Sequence, residues 1–166
     1  MRVATNWQNT GFYTDAVDVE NAMETLKGHL KEVSHTFHGF DEDSLKRKPS
    51  PGKWSKKEIL GHLIDSAINN LQRFTEIPFK PQPYTLVSYR QDELVAANNY
   101  QDLPLDHLLQ LWKSLNQQIV FVVTQIPPGK LQLEVDAGYG NREMKSLGWL
   151  ICDYVAHLEH HLQQLK

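Results

Sequence analysis

The stretch from Ser146 to Leu165, SLGWLICDYVAHLEHHLQQL, decides the fold. Leu147, Leu150, Ile151, Tyr154, Val155, Leu158, Leu162 and Leu165 recur at spacings of three and four, the apolar stripe of a helix packed on other helices, and Ser146 is placed to cap it. Three further stretches carry the same signature. Val19, Met23, Leu26, Leu30, Val33 and Phe37 predict a helix over about 16–38. Ser55 with Glu58 forms a capping box that opens a second helix, with Leu60, Leu63, Ile64, Ala67, Ile68 and Leu71 on its stripe, until Pro78, Pro81 and Pro83 forbid continuation. Pro104 and Asp106 open a third, which carries Leu105, Leu108, Leu109, Trp112, Leu115, Ile119, Val122 and Val123 and stops near Pro127 and Pro128. Four stripes need four partners, so the expected fold is an all-α four-helix bundle, one domain over residues 1–166. The connection of roughly 25 residues between the second and third helices is long enough to cross the bundle, which lets those two run parallel.

The intervening chain is less regular. Gly39 to Lys53 is dense in turn formers and reads as a loop, with Lys46, Arg47 and Lys48 as a solvated basic run. Gln91 to Tyr100 reads as a short helix without a clean stripe. Leu131 to Val135 alternates apolar and polar residues, the pattern of a brief strand or hairpin arm leading into Gly138 and Gly140. The chain carries 17 Lys and Arg against 20 Asp and Glu, a net charge of -3, so it offers no general attraction to nucleic acid or anionic lipid. Its single cysteine, Cys152, can form neither an intrachain disulfide nor a cysteine-rich metal site. The expectation is a cytoplasmic protein: Met1 to Tyr13 lacks a basic segment followed by an apolar one, and no run is long enough to span a membrane.

Three of the eight histidines fall in the last ten residues. His157 and His161 lie four apart on one helix face, a spacing at which two imidazoles can chelate one ion. At about 100° per residue His161 falls inside the apolar stripe, His157 at its edge and His160 well off it. A third ligand would have to come from another helix, and the second helix offers His62. Its position is ambiguous: His62 lies about 150° from the centre of that helix's stripe, beside Asp65, Asn69 and Arg73. Pattern alone makes it either a solvated residue or one lining a polar cleft.

The residues Pro51-Gly52-Lys53-Trp54-Ser55 through Glu58-Ile59-Leu60-Gly61-His62-Leu63-Ile64-Asp65-Ser66, and Asp153-Tyr154 through His157-Leu158-Glu159-His160-His161, resemble the two helix signatures of the DinB-like family, whose members include thiol-dependent S-transferases. Arg73, the Gln91-Asp92 region and Trp112 are in keeping with it. The resemblance implies an up-down-down-up bundle, a divalent metal held by His62, His157 and His161, zinc or nickel among the ions that suit imidazole, and a homodimer. It favours a small-molecule substrate and a low-molecular-weight thiol.

Three imidazoles leave coordination positions open, the pattern of a catalytic metal site, at which a thiol becomes thiolate or water hydroxide. Asp153, four before His157, and Asp65, three after His62, are candidates to receive a ligand's free ring N–H or to serve as a general base. Trp54 reads as a packing anchor; Tyr139, Asn141 and Arg142 sit in a Gly-rich loop and read first as solvated loop residues, with contact to an anionic substrate as the alternative. The expected function is a metal-dependent transferase that joins a thiol to an electrophile. The alternatives are a hydrolase on the same ion and a metal-binding scaffold without turnover.

Overall fold

The computed structural model describes residues 17–165. The reading of Met1 to Tyr13, and the first residue of the first expected helix, lie outside them. The chain runs α1 (Val19–His38), α2 (Glu42–Lys46), α3 (Lys56–Glu76), β1 (Tyr84–Thr85), α4 (Gln91–Ala97), α5 (Leu105–Thr124), β2 (Glu134–Asp136), β3 (Met144–Ser146) and α6 (Leu147–Gln163). The four long helices are the four expected ones.

Their order follows from end-to-end contacts. The end of α1 meets the start of α5, where His38 Nε2 lies 2.9 Å from Asp106 Oδ1. The end of α6 meets the start of α3, where Lys56 Nζ donates to the carbonyl of Leu165 at 2.9 Å. Val19, at the start of α1, lies against Gly148, at the start of α6. So α1 and α6 run one way and α3 and α5 the other, the up-down-down-up order, with residues 77–104 crossing the bundle's length between the two parallel helices. Leu26, Phe37, Leu60, Ile64, Leu108, Trp112, Ile119 and Leu158 fill the centre, all buried.

Both caps form as read. Glu58 N–H donates to Ser55 Oγ at 3.2 Å and Ser55 N–H to Glu58 Oε2 at 2.7 Å, while Trp149 N–H donates to Ser146 Oγ at 3.1 Å. These satisfy backbone donors that have no partner inside their helix.

Three readings need correction. The loop over 39–53 contains α2: Asp41 Oδ1 caps it from Ser44 N–H at 2.7 Å, and Leu45 is buried. The turn formers on either side masked a single helical turn. Its basic run is not merely solvated, because Lys46 pairs with Glu42 at 3.4 Å and Lys48 with Glu58 at 2.7 Å. The strand expected at Leu131 starts later: residues 128–132 form a 3-10 turn that begins on Pro128, and β2 follows. β2 pairs antiparallel with β3 and parallel with the two-residue β1, too short a strand to leave an alternating pattern. This sheet sits where α3 ends and α6 begins. Finally, Ile68, assigned to the α3 stripe, is 48% exposed, whereas the polar side of that helix is covered.

Among the described residues no helix is long and apolar enough to cross a membrane.

Candidate metal centre

α3 is sealed on its polar side by the crossing connection. Tyr100 lies flat against Gly61, where a Cβ would stand 2.0 Å from the ring, and Tyr100 O–H donates to Asp65 Oδ1 at 2.7 Å. Asn98 Nδ2 donates to the same oxygen at 3.1 Å. Lys57 Nζ, nearly inaccessible, donates to Glu42 Oε1 at 2.9 Å and ties α2 to the start of α3. These docked segments, together with α6, bury His62 completely, at 0% exposure. The solvated alternative that the helix pattern left open is thereby removed: a helix wheel assumes one covered face, and α3 has more than one.

At the end of the bundle where α3 starts, three imidazoles converge. His62 Nε2 lies 3.2 Å from His157 Nε2, which lies 3.1 Å from His161 Nε2, and the three ligand atoms stand within 4.8 Å of one another. Trp54, half-buried, packs over them with its ring centroid 4.6 Å from His62 and 6.1 Å from His161. His161 Nδ1 faces Gln164 Oε1 at 3.2 Å, a contact that leaves Nε2 to point inward. His160, on the same turn of α6, turns instead to Gln164 Nε2 at 3.0 Å, and the cluster does not include it.

The electrostatics favour neutral rings. Burial, followed by the proximity of His161 and His157, holds His62 down at about 2. Burial and the neighbouring histidines hold His157 at about 3. Burial, partly opposed by the Gln164 contact, holds His161 at about 4. A neutral imidazole has one lone-pair nitrogen, and with the proton on Nδ1 each of these rings would turn its Nε2 lone pair to a common point. This donor set fits a divalent ion of the borderline class that takes imidazole. His62 Nδ1, buried and without a hydrogen-bond partner, is the one ring nitrogen of the three whose outer side the protein leaves unsupported.

The two carboxylates stand differently. No hydrogen bond joins Asp65 to His62; Asp65 faces Tyr100 and Asn98 on one oxygen, while its buried Oδ2 has no partner, and burial raises its pKa. Asp153 is half-buried one turn before His157 on α6. Sequence reading missed Tyr100, Asn98 and Tyr89. All three fall in the connection without a stripe, and their only signal was an aromatic or amide side chain in a stretch dense in turn residues.

Comparison with known proteins gives the same fold. The chain is 19% identical over 155 residues to OB0413 of Oceanobacillus iheyensis, a protein named as a metal-dependent hydrolase by inference, with 90% of this chain and 84% of the relative covered. Among solved structures it superposes with a TM-score of 0.80 and 15% identity on YfiT from Bacillus subtilis, described as a probable metal-dependent hydrolase with an unusual four-helix bundle topology, covering 93% of this chain and 89% of that one. It also superposes on the mycothiol-dependent maleylpyruvate isomerase with a TM-score of 0.61 and 14% identity, covering 87% of this chain and 60% of that longer one. At these identities the superpositions establish the architecture, and the sequence model of the DinB superfamily matches residues 25–165. The chain belongs to the DinB superfamily.

Proposed function

We propose that the protein holds one divalent metal ion through His62, His157 and His161 and uses it to transfer a low-molecular-weight thiol to a small electrophile. The observation that carries this reading is the convergence of three neutral imidazole Nε2 atoms, two on buried rings and one on a half-buried ring, with no carboxylate among them. Such an ion supplies Lewis acidity, lowering the pKa of a thiol or water at its open positions.

The chain's own groups divide the remaining work. Trp54 walls the cluster on one side and excludes water there. Asp65, one turn along α3 and held by Tyr100 and Asn98, is the group placed to take up or return a proton, its pKa raised by burial against the lowering effect of those two hydrogen bonds. Asp153 is proposed to orient His157 from the preceding turn. The chain supplies no reactive thiol itself: Cys152 is half-buried, its pKa is raised by burial, and it stands five residues before His157, about 140° around α6. The nucleophile is therefore a diffusible thiol or water. The mycothiol dependence of a structural neighbour supports the thiol; the names of OB0413 and YfiT favour the second reading, hydrolysis on the same site.

The assay is consumption of monochlorobimane by protein reconstituted with zinc or nickel, with and without cysteine, glutathione and related thiols. The expected result is turnover that requires both thiol and metal and falls at least about a hundredfold in His157→Ala, the usual scale for loss of metal-based charge stabilisation. Turnover of ester or amide substrates without any thiol would transfer the assignment to hydrolysis. No turnover of either kind would leave a metal-binding scaffold.

A further inference from the structure

The polar side of α3 continues past His62 as a buried seam: Asp65 and Ser66, three and four residues on, are followed by Asn70 and Arg73 at spacings of four and three, and each is nearly inaccessible. At its far end Arg73 is 8% exposed and makes no ion pair with any described residue. Its guanidinium donates from Nη2 to the carbonyl of Val87 at 2.8 Å and from Nη1 to Asn70 Oδ1 at 3.4 Å, and it lies 5.9 Å from the centre of the Tyr89 ring. Two neutral acceptors use two of five N–H donors, and among the described residues no carboxylate pairs with the charge. A buried guanidinium without a counter-charge is costly, and in proteins such a fork is matched by a carboxylate or phosphate.

Asp65, on the same seam, does not fill that role. It stands two turns away with its own Oδ2 unpartnered, and Tyr89 lies in the fields of both groups while facing Ser66. Tyr89 belongs to the segment between β1 and α4, where Leu86 is buried but Val87, Ser88 and Arg90 are all exposed, so the chain that covers Arg73 is bordered by solvent. The loop after β2 reaches the same place. Tyr139 acts electrostatically on Tyr89, and both Tyr139, with φ 47°, and Arg142, with φ 41°, adopt the left-handed backbone that non-glycine residues avoid.

We propose that Arg73 is the anion-binding end of the substrate site, and that the substrate is an organic acid whose carboxylate or phosphate lies under Tyr89 while its reacting end lies at the histidine cluster. Because the guanidinium reaches back beside Asn70, eight residues after His62, the two ends are about 12 Å apart at 1.5 Å per residue. The inference rests on the proposed metal centre only for what lies at the reacting end.

The test is a calorimetric titration of the zinc-reconstituted protein with 6-mercaptohexanoate against 6-mercaptohexanol and with hexanoate against hexanol. Wild type is expected to bind each acid at least tenfold more tightly than its alcohol. Arg73→Met should abolish that ratio and Arg73→Lys, which keeps the charge and the stem but not the fork, should reduce it. In His62→Ala the thiols should weaken while the acid-to-alcohol ratio persists. If the thiols show no advantage over hexanoate but the Arg73-dependent ratio remains, the thiol reading fails and the anion site stands. Equal binding of acids and alcohols by wild type, or a ratio unchanged in Arg73→Met and Arg73→Lys with only thermal stability altered, would make Arg73 a structural clamp on Val87 and overturn the proposal.

Discussion

Gly61→Ala is expected to destabilise the protein by about 3 kcal/mol, lowering its Tm by roughly 6–12 °C. Alanine is ordinarily the better helix residue, worth up to about 1 kcal/mol over glycine in a helix interior. Here the added methyl would stand 2.0 Å from Tyr100 Cδ2, and the ring cannot move outward without giving up its buried position and its hydrogen bond to Asp65. The ejected ring would also uncover His62. Gly28, in α1, is the internal control, because a Cβ there meets nothing within 4 Å. Gly28→Ala should therefore stabilise the protein slightly, and urea denaturation of the two variants should move in opposite directions. Adding Tyr100→Ala to Gly61→Ala should cost much less than Tyr100→Ala alone costs the wild type, since the two changes remove the same contact. Equal stability of the Gly61 and Gly28 variants would mean that the connection does not seal α3 as described.

Acidifying the metal-free protein from pH 7 to pH 5 should cost it on the order of 6 kcal/mol, about 2 from each clustered histidine. The sign follows from where the protons go. In the unfolded chain each imidazole titrates near 6.5, whereas in the fold burial and mutual repulsion hold His62, His157 and His161 at about 2, 3 and 4. Between pH 6.5 and about 4 the unfolded state therefore binds up to three more protons than the native state, and stability falls as the pH falls. Asp65 works in the opposite sense: its raised pKa stabilises the fold as it protonates, so it offsets part of the loss. A deficit of this size is comparable to the whole stability of many domains. Urea midpoints measured in EDTA at pH 7, 6 and 5 should drop steeply, and His157→Gln should flatten the dependence by about a third. A flat profile in the wild type would mean that the three rings are not buried together.

The bundle was legible because it rests on local regularities: four stripes, two capping serines and prolines that end helices at Pro78 and Pro127. One connection too long for a hairpin allowed the two middle helices to run parallel, and the full order of the helices came from the resemblance to the family. What escaped was what depends on tertiary cover. Ile68 sits on the apolar side of α3 and is exposed, while Asp65, Asn70 and Arg73 sit on its polar side and are buried, because the connection over 86–102 lies on that side instead of water. That connection recognises α3 through Tyr100 against Gly61 and Asn98 against Asp65, contacts with no periodicity of their own. The histidine cluster was half legible: the spacing of His157 and His161 marks one helix face, but His62 comes from 95 residues earlier, and only its resemblance to a family signature joined it to them. The single turn of α2 and the two residues of β1 are too short to leave any pattern.

Whether the three imidazoles share one ion is tested most directly by metal content measured with plasma mass spectrometry. Untagged protein reconstituted with zinc or nickel and freed of excess should retain close to one equivalent, and so should His160→Ala. His62→Ala, His157→Ala and His161→Ala, each shown to be folded by circular dichroism, should lose it. Wild-type protein that stays metal-free after reconstitution, or a His62→Ala variant that keeps its full equivalent, would contradict the metal centre described for this chain.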